Sequence, residues 1–283
     1  MRINHNISSM GTQASLFKTN RSMAKNLEKL STGLRINKAS DDAAGLAISE
    51  NLRTQVRGTA QAKRNALDGI SLLNIAEGAA NEVSDILQRM RELAVQSAND
   101  TLTSSERAYT NQEFSQLNSE IDRIANVTNF NGQDLLSSDA TTRFGAGTTG
   151  SVLWIDANNT VGNDSLTITI DTLSADTNGL NILDDSLSTQ TDSVTAISEL
   201  DRAIGSVSTM RSDLGAFVNR LEHAINNLDV SNTNQQAAES QIRDVDFAYE
   251  TAQFTKNQIL TQSATAMLAQ ANAVPQGVLQ LLG

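Results

Sequence analysis

The chain has 283 residues, enough for about two domains by length alone, and it contains no cysteine. The missing cysteine excludes disulfides, a thiol nucleophile and cysteine-based metal sites, and the net charge of −11 argues against nucleic acid binding, which needs a basic face. Aromatic residues make up 4 % of the chain and proline occurs once, a composition that favours long helices over a compact enzyme core.

The sequence shows neither a membrane segment nor an ordinary secretory signal. No apolar run is long enough to cross a bilayer. The N-terminal residues are polar and lack the apolar stretch of a signal peptide. Taken by themselves, these features predict a cytoplasmic location without membrane insertion.

A first helix is predicted from about Ile7 to Leu30. Apolar residues such as Met10 and Phe17 recur along it at spacings of three and four. Such a narrow stripe needs a partner helix to bury it. The segment is also rich in basic residues, which form either a solvated face or an electrostatic contact between subunits: Lys18, Arg21, Lys25, Lys29, Arg35 and Lys38.

Residues 30–58 form the predicted junction between the first helix and a second helix at about 59–99. Small residues interrupt this stretch, including Gly45 and Gly58. We expect Ser40 to cap a helix here, with the acidic pair at 41–42 near its positive N-terminal end.

A third helix is predicted to begin after Thr103. Thr103 and Glu106 have the spacing of a capping box, in which each side chain accepts from the backbone of the other. Apolar residues from Phe114 to Ile124 then follow helical spacing. The Asn-Phe-Asn-Gly stretch at 129–132 predicts the turn that ends this helix.

Residues 137–190 differ in composition, because Ser, Thr, Asp, Asn and Gly dominate. Two short segments alternate between apolar and polar residues, at 152–155 and 166–170. Turn-forming residues separate them, so we predict a β-hairpin. A lone hairpin is only marginally stable in water, and we therefore expect this one to lie on the helices.

The strongest pattern predicts a long coiled-coil helix after residue 190. Ten positions keep an unbroken spacing of three and four, and all but Arg211 are aliphatic. The nine aliphatic residues of this seam are Ile197, Leu200, Ile204, Val207, Leu214, Val218, Leu221, Ile225 and Leu228. The expected fold class is mainly α, a long antiparallel coiled-coil bundle with a small β-hairpin region.

A last helix is predicted over 237–273, separated from the seam helix by the polar residues 232–234 and ended by Pro275. An apolar tail follows, formed by Val278, Leu279, Leu281 and Leu282. The apolar patterns of the two terminal helices are too weak for an isolated pair. We therefore interpret both ends as segments that fold when they join neighbouring copies.

The same residues resemble bacterial flagellin. The N-terminal motifs are LSTGLRIN (30–37), DDAAGLAIS (41–49), LQRMRELAVQSAN (87–99) and NFNGQDLL (129–136). The C-terminal motifs are SQIRDVDFAYE (240–250), QILTQSATAMLAQAN (258–272) and VPQGVLQLLG (274–283). They occur in the family's order and cover roughly the first half and the last third of the chain.

This resemblance implies a structural subunit that polymerises into the flagellar filament and is exported unfolded through the flagellar type III apparatus to an extracellular location. It implies a terminal assembly domain at 1–42 plus 238–283 and an inner helical domain at 43–237, with the 137–190 hairpin as its tip. The implied partners are other copies of the chain, an export chaperone that contacts the tail, and the cap and hook-junction proteins.

The resemblance also implies a surface read by the vertebrate Toll-like receptor for flagellin. Arg89 and Leu93 lie four residues apart on the second helix and so share a face. Glu113 lies on the antiparallel third helix. These three residues match the family's recognition motif, while filament packing or an ordinary helix surface also accounts for them.

Chemistry-bearing motifs are few, and we expect no catalytic, metal or cofactor site. His5 and His223 are the only histidines, and neither has a second histidine at helical spacing. The acidic pairs at 41–42, 184–185 and 244–246 lie at predicted caps and turns, where acids are common. Two alternatives to a filament subunit remain: the hook–filament junction protein, and a secreted coiled-coil scaffold.

Overall fold

Helices dominate the computed structural model, which describes residues 6–139, 143–145, 150–160, 162–176, 179–182 and 185–282, with side chains as far as residue 274. The helices are α1 (Ile7–Thr32), α2 (Ala43–Ser97), α3 (Ser104–Val127), α4 (Gln190–Arg243) and α5 (Phe247–Leu282). The strands are β1 (Asn129–Phe130), β2 (Gln133–Asp134), β3 (Ser151–Trp154) and β4 (Ser165–Ile168). The predicted fold class, a mainly α bundle with a small hairpin region, is confirmed.

Tertiary contacts divide the chain into two units. Unit 1 joins the two ends of the chain, Met1–Thr54 and Thr233–Gly283. Unit 2 is the continuous segment Gln55–Asn232.

In unit 2, α2 and α4 pack antiparallel. Three interhelical ion pairs establish the direction, because their α2 members rise in number while their α4 members fall: Lys63–Asp229 at 2.7 Å, Glu77–Arg211 at 2.9 Å and Arg91–Asp201 at 2.6 Å. Helix α3 returns along α2 and contributes Phe114 and Ile121 to the same core. The core is therefore a long apolar layer shared by three helices.

The predicted seam of α4 lies at this core. However, the centre of the stripe that is buried is displaced by about one residue from the predicted positions. Leu200, Val207, Leu214, Leu221 and Leu228 are buried. Ile197, Ile204, Val218 and Ile225 are only partly buried. The remaining buried apolar positions are filled by residues that the pattern passed over, Ala196, Ala203 and Met210. Arg211 interrupts the seam because its guanidinium pairs with Glu77.

The start of α2 corrects the prediction for the junction. The helix begins at Ala43, so most of the 30–58 stretch is helical. Asp42, rather than Ser40, acts as the cap: its Oδ1 accepts from the backbone N–H of Gly45 at 2.9 Å. Gly58 does not interrupt the helix, and Ala157 packs where a side chain at this position would lie.

The predicted hairpin is present as β3 and β4, which pair antiparallel from Ser151↔Ile168 to Trp154↔Ser165. Three residues on one face of α2 hold it in place. Gly58 and Gly69 leave room for Ala157 and Leu153, and Asn65 donates from Nδ2 to the backbone oxygen of Trp154 at 3.1 Å. The hairpin thus lies on the helices, as a two-stranded sheet requires.

A second, shorter hairpin occurs where the sequence predicted only a turn. Strands β1 and β2 pair as Asn129↔Asp134 and Phe130↔Gln133, with Asn131 and Gly132 between them. Helix α3, before it, begins with the predicted capping box: Thr103 Oγ1 accepts from the N–H of Glu106, and Glu106 Oε2 accepts from the N–H of Thr103.

The end of the chain corrects two further predictions. Helix α4 continues through residues 232–234, where the amide of Asn232 donates to the oxygen of Val56 and to Thr59 Oγ1. The break comes instead at 244–246. Helix α5 then runs past Pro275 to Leu282.

Candidate functional site

The candidate site is the surface of the paired helices α1 and α5 in unit 1. The last residue of helix α1 is Thr32, and Gly33 caps the helix. The φ of Gly33, 72°, is the left-handed conformation of a helix cap. The linkers after α1 and α4 then pair with each other. Arg35 donates its N–H to the oxygen of Arg243 at 2.7 Å, and Val245 donates to Gly33 at 3.0 Å. These bonds fix where α5 begins and direct it back along α1.

Polar groups form the buried interior of this pair. The carboxylate of Glu250 is 5 % exposed and lies 3.7 Å from the ammonium nitrogen of Lys29. With its amide oriented to satisfy its hydrogen bonds, buried Asn26 donates to Glu250 Oε1 at 3.1 Å. At the start of α1, the side-chain amide of Asn6 donates to the backbone oxygen of Ala271 on α5. Hydrogen bonds therefore help to hold the two helices together, beside apolar residues that are only partly buried, such as Leu16, Met23 and Phe254.

Most of the large apolar side chains of α1 and α5 are exposed. Phe17 is 70 % exposed. Most of the others are about half exposed or more: Ile7, Met10, Leu27, Phe247, Tyr249, Ile259, Leu260, Met267 and Val274. Among the described side chains of unit 1, Ile36 is the one buried hydrophobic residue. So many exposed large apolar side chains on two helices favour an interaction surface.

Most basic residues of the N-terminal segment have partners within the chain. Lys25 lies 2.9 Å from Asp41 and Lys38 lies 2.6 Å from Glu28. The hydrogen bond from Lys25 lowers the pKa of Asp41, and the one to Glu28 raises the pKa of Lys38. Arg35 donates to the backbone oxygen of Ile242. These bonds brace the linkers of unit 1, so they leave fewer cations for contacts with neighbours.

The receptor surface implied by the resemblance is only partly accessible. Arg89 Nη2 lies 2.8 Å from Glu113 Oε1, and Arg89 Nη1 lies 3.1 Å from Glu92. The hydrogen bonds to Glu113 and then Glu92 raise the pKa of Arg89. Leu93 is 2 % exposed and packs in the core of unit 2, so placing it on this surface was wrong. It falls on the buried stripe of α2 together with Met90 and Ala94.

The predicted tail, Val278, Leu279, Leu281 and Leu282, has side chains outside the described part of the chain, although α5 runs to Leu282. His5 also lies outside the described residues, and His223 is exposed on α4. Among the described residues, no cluster of three or more acidic or histidine side chains has the geometry to hold a metal ion. Within the same part of the chain, no helix is apolar over enough of its length to span a bilayer.

The sequence pattern found part of this surface and missed part. The α1 stripe with Met10 and Phe17 was visible as helical spacing. The exposed aromatics Phe247 and Tyr249 were missed because they fall between the positions of the weak pattern predicted for the last helix, although two aromatics within three residues of an acidic cap were a usable signal. Nothing in the sequence indicated that Glu250 would be buried against α1.

Family models match both ends of the chain. Residues 3–141 match the bacterial flagellin N-terminal helical region, and residues 197–282 match the bacterial flagellin C-terminal helical region.

Individual relatives agree with these matches. A flagellin of Halalkalibacterium halodurans is 48 % identical over 284 residues, and flagellin FlaB2 of Treponema pallidum is 46 % identical over 286, each with 100 % of both chains covered. A solved structure described as a flagellar hook-associated protein of Vibrio parahaemolyticus has a TM-score of 0.54 at 17 % identity, covering 72 % of this chain and all of that one. The last likeness concerns the fold alone, and the full-length matches do not favour the hook-junction alternative.

Proposed function

Since the chain belongs to the bacterial flagellin family and is a structural subunit of the flagellar filament, we propose that α1 and α5 form its principal assembly surface. The observation that supports this is the division of apolar residues between the two units. Unit 2 buries a continuous core, whereas unit 1 leaves many of its large apolar side chains exposed. Neighbouring subunits in the self-assembled filament would cover them.

The energetics favour assembly over an isolated pair of helices. Burying one large apolar side chain contributes roughly 1.5–3 kcal/mol before ordering costs. Ten such side chains lie exposed on α1 and α5. The pairing of the two helices gains less, because the apolar residues between them are only partly buried and each hydrogen bond contributes only about 1 kcal/mol net. Contact with neighbours therefore supplies most of the stabilisation of unit 1.

The proposal assigns roles to the two parts of the chain. Residues 1–42 with 238–283 act as the assembly domain, and residues 43–237 act as the rigid inner domain, with the 137–190 hairpin at its tip. Torque along the filament passes through the helices of the inner domain. The filament lies outside the cell, and subunits reach it by unfolded export. An assembly domain with little core of its own suits this route, because it is easily unfolded.

Several partners follow from this proposal. A chaperone that covers the apolar tail at Val278, Leu279, Leu281 and Leu282 would prevent polymerisation before export. The cap and the hook-junction proteins would meet the terminal helices at the two ends of the filament. The vertebrate Toll-like receptor would read the exposed pair Arg89 and Glu113, without direct contact to the buried Leu93.

Two matched substitutions test the assembly surface. Phe17 on α1 is 70 % exposed and Tyr109 on α3 is 73 % exposed, so replacing either with serine removes a similar solvent-facing aromatic. We expect Phe17→Ser to lower the rate of seeded polymerisation, followed by light scattering, much more than Tyr109→Ser. Equal polymerisation of the Phe17→Ser chain and the wild-type chain would contradict the assignment of α1 to the assembly surface.

A further inference from the structure

The tight turn between β1 and β2 is formed by Asn131 and Gly132. Both residues are exposed and both have positive φ, 51° and 77°. A two-residue hairpin loop with both central residues at positive φ has the type I′ geometry, for which Asn-Gly is a preferred sequence. A side chain added at Gly132 would meet no atom within 4 Å, so the turn projects into open space.

The same dipeptide has an intrinsic reactivity. The side-chain amide carbon of an asparagine lies within reach of the backbone nitrogen of the following residue, and a glycine there offers no Cβ to hinder the approach. Within the described part of the chain, neither the Asn131 carboxamide nor the Gly132 N–H makes a hydrogen bond that would hold it in place. Each strand of the hairpin has only two residues, so local opening costs little.

We propose that Asn131 is a site of spontaneous deamidation. The Gly132 nitrogen loses its proton and attacks Asn131 Cγ, forming a C–N bond, and the Cγ–Nδ2 bond breaks to release ammonia. Water then opens the resulting succinimide at either carbonyl. Opening at the main-chain carbonyl yields isoaspartate, and opening at the other carbonyl yields aspartate. Both products carry one more negative charge than the starting chain.

The two products have different structural effects. Aspartate keeps the main chain unchanged, and Asp-Gly also suits a type I′ turn. Isoaspartate adds a methylene group to the main chain, so a two-residue loop can no longer align Phe130 with Gln133. The hairpin leads directly into Leu135 and Leu136, which are fully buried. The isoaspartate form therefore loosens this edge of the core.

The chain contains two internal comparisons. In the second Asn-Gly pair, the nitrogen of Gly179 already donates to Asp176, to its backbone oxygen at 3.0 Å and to Oδ1 at 3.1 Å. Asn181 has a similar φ of 54°, but the following Ile182 is buried and donates its N–H to Ala175 at 2.9 Å. In both cases the attacking nitrogen is engaged, so these sites should react more slowly than Asn131.

Peptide mapping by mass spectrometry tests the proposal on the unassembled full-length chain. After incubation at mildly alkaline pH, we expect ammonia loss and isoaspartate at Asn131 before Asn178 or Asn181 changes. The rate should rise with pH, because the attacking nitrogen must lose its proton. Conversion at Asn178 ahead of Asn131 would overturn the proposal, as would an unchanged Asn131 under conditions in which the denatured chain converts.

Two variants separate the reaction from its consequence. Asn131→Gly keeps a sequence that favours the type I′ turn but has no carboxamide, so it should fold normally and show no conversion at this position. Asn131→Asp should melt like the fresh wild-type chain, whereas the aged fraction enriched in isoaspartate should melt lower. Equal melting of the aged isoaspartate fraction and the Asn131→Asp chain would overturn the proposed effect on the core.

Discussion

Two glycines of α2 provide a matched test of how unit 2 is packed. Both Gly58 and Gly78 lie inside the helix, where alanine is favoured over glycine by roughly 1 kcal/mol. At Gly78 an added Cβ meets nothing within 4 Å. At Gly58 it would lie 2.6 Å from the Cβ and 3.2 Å from the Cα of Ala157, on the segment that follows β3.

The two alanine variants should therefore differ in stability. Gly78→Ala gains the helical preference and should raise the melting temperature by about 2–4 °C for a unit of this size. Gly58→Ala gains the same preference but forces Ala157 outward, which costs about 1–3 kcal/mol. The free energies of unfolding of the two variants should therefore differ by this cost of about 1–3 kcal/mol. The corresponding difference in melting temperature is roughly 2–12 °C.

Thermal unfolding of the unassembled chain, followed by far-ultraviolet circular dichroism, measures this gap. The comparison is robust because both substitutions add one methyl group to the same helix. A Gly58→Ala chain that melts at or above the Gly78→Ala chain would refute the close packing of Ala157 on α2.

Three further predictions concern other parts of the chain. Leu214→Asp buries a charge in the apolar core of unit 2, so it should destabilise the chain by several kcal/mol and abolish the cooperative melt. An unchanged melting temperature would show that Leu214 is not a core residue. Thr103→Ala removes the hydroxyl that accepts from the N–H of Glu106, one half of the capping box of α3, and should destabilise the chain by about 1 kcal/mol. Two hydrogen bonds from Thr103, first from its backbone N–H and then from its hydroxyl, lower the pKa of Glu106, so the stability they provide is complete above the pKa of the unfolded chain and is lost as pH falls through the folded value. Thr103→Ala removes only the hydroxyl contribution, so the effect of the substitution should shrink in acid by that part, as pH-dependent melting would show. Deletion of residues 275–283 should leave the melt of unit 2 unchanged and abolish seeded polymerisation, whereas normal polymerisation would contradict the role of the tail in assembly.

Local signals in the sequence predicted much of the fold. The capping box at Thr103 and the alternating hairpin segments depend on neighbouring residues alone, and both were confirmed. The α4 seam was recognised from its large aliphatic residues. Its centre was misplaced because Ala196 and Ala203 are small and do not stand out in an aliphatic pattern, yet both are buried in the core of unit 2.

Features fixed by distant residues could not be predicted in the same way. The polar residues at 232–234 predicted a helix end. The helix continues instead, and the side-chain amide of Asn232 donates to the backbone oxygen of Val56 and to Thr59 Oγ1. The actual break at 244–246 is fixed by backbone bonds to the linker after Gly33, about 210 residues away in sequence. Leu93 shares a helical face with Arg89 in sequence spacing, yet it is buried in the core of unit 2.

Hydrogen–deuterium exchange on the monomer and on the filament tests the central claim most directly. We expect backbone amides of α1 and α5 to exchange rapidly in the monomer, because unit 1 buries little apolar surface, and to become strongly protected on polymerisation. Amides of α2 between Leu73 and Met90, in the core of unit 2, should be protected in both states. Protection of α1 and α5 in the monomer equal to that of α2 would contradict the claim that neighbouring subunits stabilise the terminal helices.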